Sequence, residues 1–220
     1  AREVGYIYID SGAMYRAVTY EAMKKGLTDK GEIAHMAEGL NMEVAPGEGS
    51  MHVLIDGEDI TACLRTPEVS ARVSEIAAIG GVRTAMVTLQ RKIACKGGII
   101  LDGRDIGTVV LPDADLKIFL TASVKKRAER RFEEFRSKYP DIMLDEVEKE
   151  IETRDWKDSH REVSPLRPAE DAVLVDNSDI TLEETAQLLM GMAEKKENGN
   201  VVGTLLLLPL KNRQISLFII

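Results

Sequence analysis

Apolar residues fall in two rhythms along this chain. Short apolar runs at residues 6–9, 99–101, 116–120 (with Lys117 inside it) and 172–175 predict strands buried on both faces, the pattern of a parallel sheet. Longer stretches with apolar residues three and four apart predict helices between them. Residues 13–24 carry Val18, Ala22 and Met23 on one stripe, and residues 29–41 form a second helix. A third begins at Arg65-Thr66-Pro67-Glu68 with Val69, Val73, Ile76 and Ala77, breaks at Gly80-Gly81 and resumes over residues 82–96. Ser123 opens another, residues 144–153 form an acidic one, and Thr181 with Glu184 starts a closing helix that runs to Lys195.

Residues 42–60 follow a different rhythm. Three short runs separated by turn residues, Pro46-Gly47 and Asp56-Gly57 among them, predict a small antiparallel sheet inserted into the larger fold. At the amino end, residues 1–5 read as the last turn of a helix capped by Gly5. The stretch 198–220 does not fit the scheme. Two apolar runs around Lys211-Asn212-Arg213-Gln214 leave two extra strands or an exposed, aggregation-prone tail as alternatives.

Composition narrows the classes of function. A net charge of -8, from 29 basic and 37 acidic side chains, excludes general binding to nucleic acid or anionic membranes, which needs a basic surface. An anionic ligand must then be met by local arginine clusters. Two widely spaced cysteines, Cys63 and Cys95, suggest reduced thiols in a cytosol. No apolar run approaches the roughly 18 residues of a membrane span, and no signal peptide is visible. His52 and His160 lack partners at metal-ligand spacing.

Such clusters exist. The strand at residues 99–101 ends in Asp102-Gly103-Arg104-Asp105, which delivers charge to a strand's carboxyl end, where α/β folds bind ligands. Arg104 offers a planar fork for phosphate, or pairs with Asp105 across a surface turn. Arg16 stands on the first turn of a helix capped by Asp10 or Ser11; it is a solvated residue or half of a phosphate site. Ser74 and Arg83 read alone as polar face. Arg127 and Arg131 stand four apart, either neutralised by Glu129, Glu133 and Glu134 or clamping a triphosphate. Arg154, Arg161 and Arg167 crowd a polar segment bounded by prolines, a charged surface loop or a lid that closes on phosphate.

Together these residues resemble the bacterial cytidylate kinases, nucleoside monophosphate kinases of the P-loop class. The resemblance spans residues 1–195 and rests on Asp10-Ser11-Gly12-Ala13-Met14-Tyr15-Arg16, Asp102-Gly103-Arg104-Asp105-Ile106-Gly107-Thr108, residues 154–161 and Asp176-Asn177-Ser178. It implies a P-loop NTPase-like parallel sheet flanked by helices, an inserted acceptor subdomain near residues 41–64 and a lid near 154–168. The implied reaction transfers the γ-phosphoryl of ATP to CMP or dCMP with Mg²⁺, in a cytoplasmic monomer. By matching position, Ser11, Arg16, Ser74, Arg83, Arg104 and Asp105 correspond to the CMP site, with Arg154, Asp158 and Arg161 closing from the lid. Arg104, Asp105, Arg154 and Arg161 are the catalytic candidates, and Arg127 and Arg131 flank ATP.

One departure stands out. The family's Gly-x-x-x-x-Gly-Lys-Ser/Thr loop does not occur in the 220 residues, and residues 199–204 lack its spacing and its lysine, which argues against circular permutation. Loss of that segment predicts impaired catalysis, a truncated fragment or a non-catalytic CMP-binding module, and a sheet whose central strand is missing, with unpaired neighbours on either side.

Overall fold

The computed structural model describes residues 1, 5–47, 51–137, 139–198 and 214–219, with backbone alone for 195–198 and 216–219. The strand runs become β1 (Ile7–Asp10), β5 (Ile99–Gly103), β6 (Leu116–Thr121) and β7 (Val173–Asp176) of one parallel sheet. The inserted rhythm becomes a separate antiparallel sheet of β2 (Met42–Pro46), β3 (Met51–Ile55) and β4 (Glu58–Asp59).

The tail supplies the fifth strand of the main sheet. β8 (Gln214–Ile219) lies between β5 and β6 and parallel to both, giving the order β1-β5-β8-β6-β7. Ile215 stands in register with Ile100 on one side and Leu116 on the other. The expected gap at the sheet's centre is therefore filled by the stretch that matched nothing. The physical reason is that a slot lined by backbone donors and acceptors on both sides, with apolar layers above and below, favours a continuous apolar run. Its entry is pinned. Gln214 N–H donates to the Asp115 carboxylate at 2.9 Å, Asp115 N–H donates to the Gln214 carbonyl at 3.1 Å, and Gln214 Nε2 donates to the Ala94 carbonyl at 3.0 Å. Residues 199–213 of the tail, 2–4 of the expected helical end and 48–50 of the turn lie outside the described residues.

Helices cover both faces of the sheet. α1 (Ser11–Lys24) and α4 (Gly80–Ala94) bury Met14, Val18 and Met86 in a cluster with Ile9 and Leu101. α7 (Leu182–Asn198) closes the other face with Leu189, Met192 and Ala193 against Leu116, Ile118, Leu120, Val175 and Ile215. Caps fix the helix starts. The Asp10 carboxylate accepts from Ala13 N–H at 2.9 Å, and Thr181 and Glu184 exchange side-chain and backbone bonds at 2.7 and 3.1 Å.

Two boundaries differ from the sequence expectation. α3 (Pro67–Ala77) ends before Gly80, and Gly80-Gly81 opens α4 instead of separating the helices. A Cβ on Gly81 would stand 2.5 Å from that of Ala34, so this glycine lets α4 approach α2 (Lys30–Glu38). α6 extends over Leu144–His160, well past residue 153, and packs on α5 (Val124–Phe135) through Ala128, Val147 and Ile151. Arg154 and Asp158 are thereby helical, one turn apart.

Candidate active site

The carboxyl ends of β1 and β5, the first turn of α1, the facing sides of α3 and α4 and the last turns of α6 enclose a cleft of about 280 Å³. Each wall follows from local structure. Asp10 ends β1 and caps α1, so Ser11, Tyr15 and Arg16 project from the helix's first turn toward the ends of the strands. Gly103 ends β5 against that turn; a Cβ there would fall 2.1 Å from Ser11 Oγ and 2.8 Å from Ile106 Cδ1, so a larger residue would displace both side chains. The next two residues, Arg104 and Asp105, leave the sheet just there.

Seven arginines and four aspartates line the cleft, a surplus of three positive charges in a chain of net charge -8. Arg83 from α4 pairs with Asp105 in a buried contact, and Arg161 reaches the other oxygen of Asp105 at 4.0 Å. Arg104 Nε donates to Asp158 at 3.2 Å, while Arg154 and Arg161 stand 3.9 Å from the same carboxylate. Arg16 donates to Asp10 at 2.8 Å. At 3.9–4.0 Å the carboxylates attract Arg154 and Arg161 without hydrogen-bonding them.

Among the described residues, seven buried side-chain polar atoms have no hydrogen-bond partner, and five of them belong to residues lining this cleft: Tyr15 Oη, Arg16 Nε, Arg83 Nε, Arg154 Nε and Arg161 Nη2. Buried donors left unpaired each cost on the order of 1–3 kcal/mol, so a cluster of them marks a place that an acceptor-rich ligand completes. The charges agree. Burial lowers the Arg154 pKa to about 10, with Arg104 adding to the effect, and burial likewise lowers those of Arg16 and Arg161. An anion entering the cleft relieves all three.

Asp102 titrates the opposite way. Burial, and then the neighbouring Asp10, raise its pKa to about 6, although Tyr8 donates a 2.8 Å hydrogen bond to it. A folded-state value above the unfolded one, about 3.9, means that protonation favours the fold; this contribution is complete below about pH 4 and lost as pH rises through about 6. Asp102→Asn should therefore raise the melting temperature at neutral pH, by about 1–3 kcal/mol of stability, and flatten the stability profile between about pH 4 and 6. Thermal melts across that range test it; an unaltered slope would place the titration elsewhere.

All the residues expected to bind CMP or close over it, Ser11, Arg16, Ser74, Arg83, Arg104, Asp105, Arg154, Asp158 and Arg161, line this one cleft although they span 150 positions of sequence. The two expected on the ATP side part company. Arg131 lines the cleft, 3.0 Å from Glu150 and beside the Phe135 ring. Arg127 does not; its Nε donates to the Ala122 carbonyl at 2.9 Å and its Nη2 stands 2.7 Å from Asp155, which ties α5 to α6. Tyr15, Asp10, Asp102 and Arg65 also line the cleft and were not singled out as ligands from sequence. Asp10 and Asp102 signal themselves only as a cap and a turn residue.

A sequence model of the cytidylate kinases matches residues 1–195. The chain belongs to the cytidylate kinase family. The cytidylate kinase of Ligilactobacillus salivarius is 44% identical over 200 residues, covering 90% of this chain and 89% of that protein. Those of Bacillus licheniformis and a Streptococcus pyogenes strain are 46% and 47% identical over the same length, covering 89% of this chain and 88% of each relative. The fold accords with the family: a P-loop NTPase-like parallel sheet, flanked by helices, with a small antiparallel sheet beside it. Among the described residues no helix is long and apolar enough to cross a membrane.

Proposed function

We propose that the cleft binds CMP or dCMP and holds its phosphate for transfer of the γ-phosphoryl group of ATP. The observation that carries this reading is the set of buried, unpaired arginine nitrogens around one cleft in an acidic chain. Arg16 and Arg104, at the α1 terminus and the end of β5, hold the acceptor phosphate, with Ser11 between them at the helix start. Arg83, Asp105 and Ser74 read the base: a carboxylate accepts from the exocyclic amine of cytosine and repels the carbonyl oxygen that uracil carries there. Arg154 and Arg161, steadied by Asp158, face the transferring group. Phosphoryl transfer asks mainly for positioning and charge neutralisation, which arginines supply.

In this reading residues 41–64 form the acceptor subdomain and residues 154–168 the lid, with Arg131 at its hinge side toward ATP and Arg127 holding the lid helix in place. Among the described residues no three carboxylate, histidine or cysteine side chains gather as a metal cage. Mg²⁺ would enter on the phosphates of ATP, where it offsets their negative charge, and no step here runs through it.

Calorimetric titration of the whole chain with CMP, UMP and ATP, each separately, tests the proposal. CMP should bind with the highest affinity of the two pyrimidine nucleotides, and its affinity should fall as salt rises, as arginine–phosphate pairing requires. Equal affinity for CMP and inorganic phosphate would show an anion site without base recognition.

A further inference from the structure

Among the described residues, Tyr15 carries the one unpaired buried polar atom of the cleft that does not belong to an arginine. It stands on the first helical turns of α1, 7% exposed, with the Arg83 guanidinium 5.4 Å from its ring centroid. Its hydroxyl has no hydrogen-bond partner. A tyrosine placed only for packing gains nothing from that oxygen; phenylalanine would fill the same volume without leaving a desolvated hydroxyl unpaired. No described residue partners that oxygen, which therefore calls for a partner from a ligand.

Its surroundings say which part of a ligand provides that partner. Charged groups acting on Tyr15 include Arg83, Asp105 and Arg161, with Arg83 the foremost of the three. They are the set around the Arg83–Asp105 pair, and it is the Arg83 guanidinium that lies 5.4 Å from the Tyr15 ring centroid. Burial first, and Asp105 in addition, push the hydroxyl up to about 12, so it is neutral across the physiological range and able both to donate and to accept. Two sides of this subsite are charged, Arg83 as donor and Asp105 as acceptor. A neutral third member that can take either role suits the edge of a pyrimidine, where donors and acceptors alternate.

We infer that the Tyr15 hydroxyl is a specificity-determining contact to the pyrimidine ring of the bound nucleotide, acting beside the Arg83–Asp105 pair. The inference rests on the proposed CMP site and adds a base contact that neither the family match nor the sequence motifs single out. Tyr15 also places Arg83, because its ring carries the guanidinium; the hydroxyl and the ring thus have separable roles.

The test compares the full-length chain with its Tyr15→Phe variant, which keeps the ring and its contact with Arg83. Removing an unpaired buried hydroxyl should leave the free variant melting at or above the wild-type temperature. CMP affinity should fall about three- to tenfold, the worth of one neutral hydrogen bond. Ribose 5-phosphate, measured by competition against CMP, keeps the phosphate and sugar but has no base, and its affinity should not change. Equal CMP affinity in the two proteins, or an equal loss for CMP and ribose 5-phosphate, overturns the base contact while leaving the CMP site standing. Failure of the wild-type chain to bind CMP at all overturns the site and the contact together.

Discussion

Asp105→Asn should erase the preference for CMP over UMP, lowering the ratio of the two affinities about ten- to a hundredfold, the worth of 1–3 kcal/mol in a buried polar contact. The carboxylate is 5% exposed and one of its oxygens is taken by Arg83. The second oxygen stands 4.0 Å from Arg161, close enough for attraction and too far for a hydrogen bond. In the proposed site, that oxygen would accept from the exocyclic amine of cytosine. Uracil presents a carbonyl oxygen at the same place, which a carboxylate can only repel. An asparagine amide can turn its NH₂ toward that oxygen, so UMP should lose little or gain while CMP loses. Binding titrations with both nucleotides read the ratio directly. An equal loss for both would assign Asp105 to holding Arg83 and remove it from base recognition. Asp105→Ala is the harsher change: it leaves Arg83 buried without its counter-charge and should cost about 3–5 kcal/mol of stability.

That pair also marks where sequence reading reached its limit. Arg83 and Ser74 look like the polar faces of helices when each helix is read alone, and only the motif resemblance assigned them to a site. The fold explains the discrepancy. α4 turns Arg83 inward, to 3% exposure, because the break at Ala78–Ile79 reorients the helix and Gly81 lets it sit against α2. Burial of a charge is decided by the packing of two helices, which no periodicity within one of them records. The strand ends were legible for the opposite reason. Asp102-Gly103-Arg104-Asp105 follows a buried apolar run at once, and a parallel sheet can present such residues only at its carboxyl edge.

Tyr15 and Asp102 escaped notice because their signals are shared with ordinary structure. An aromatic residue in the first turn of a helix usually packs, and an Asp-Gly pair usually turns. What distinguishes them is environment: an unpaired hydroxyl in one case, and in the other a carboxyl pushed up to about 6 by burial and a second carboxyl. The reading of residues 154–168 as a loop missed, for a related reason, that 154–160 are helical, while 161–168 lie outside any helix or strand. Charge density suggested a surface segment, yet Arg154, Asp155 and Asp158 extend α6 because their charges are spent on Arg127, Arg104 and the cleft. An ion-paired turn carries no apolar stripe to announce a helix.

The central strand was the largest misreading, and it supports the second prediction: Ile215→Asp should abolish the cooperative fold, a loss exceeding the roughly 2–5 kcal/mol of an isoleucine truncated in a core. Ile215 is 7% exposed and sits in one cluster with Tyr6, Leu116, Ile118, Leu120, Val175 and Ala193. It therefore joins strands on both sides of β8 to the helix above them. A carboxylate there would be buried among apolar side chains with no cation in the cluster to meet it, and its neutral form would still leave a polar group unpaired. Both sides of the sheet depend on the same strand. Among the described residues β1 and β5 are joined to β6 and β7 in the sheet only through β8, so expelling it splits the sheet into two pairs and opens the backbone edges of β5 and β6 to solvent. Leu174→Asp is the control, since Leu174 lies on the edge strand β7 and is 66% exposed; it should change stability by less than about 1 kcal/mol. Chemical denaturation of the two variants decides the matter. If Ile215→Asp unfolds at the same denaturant concentration as Leu174→Asp, β8 does not hold the centre of the sheet in solution; if it alone loses the unfolding transition, the stretch that resembled nothing in the family is what keeps the two halves of the fold together.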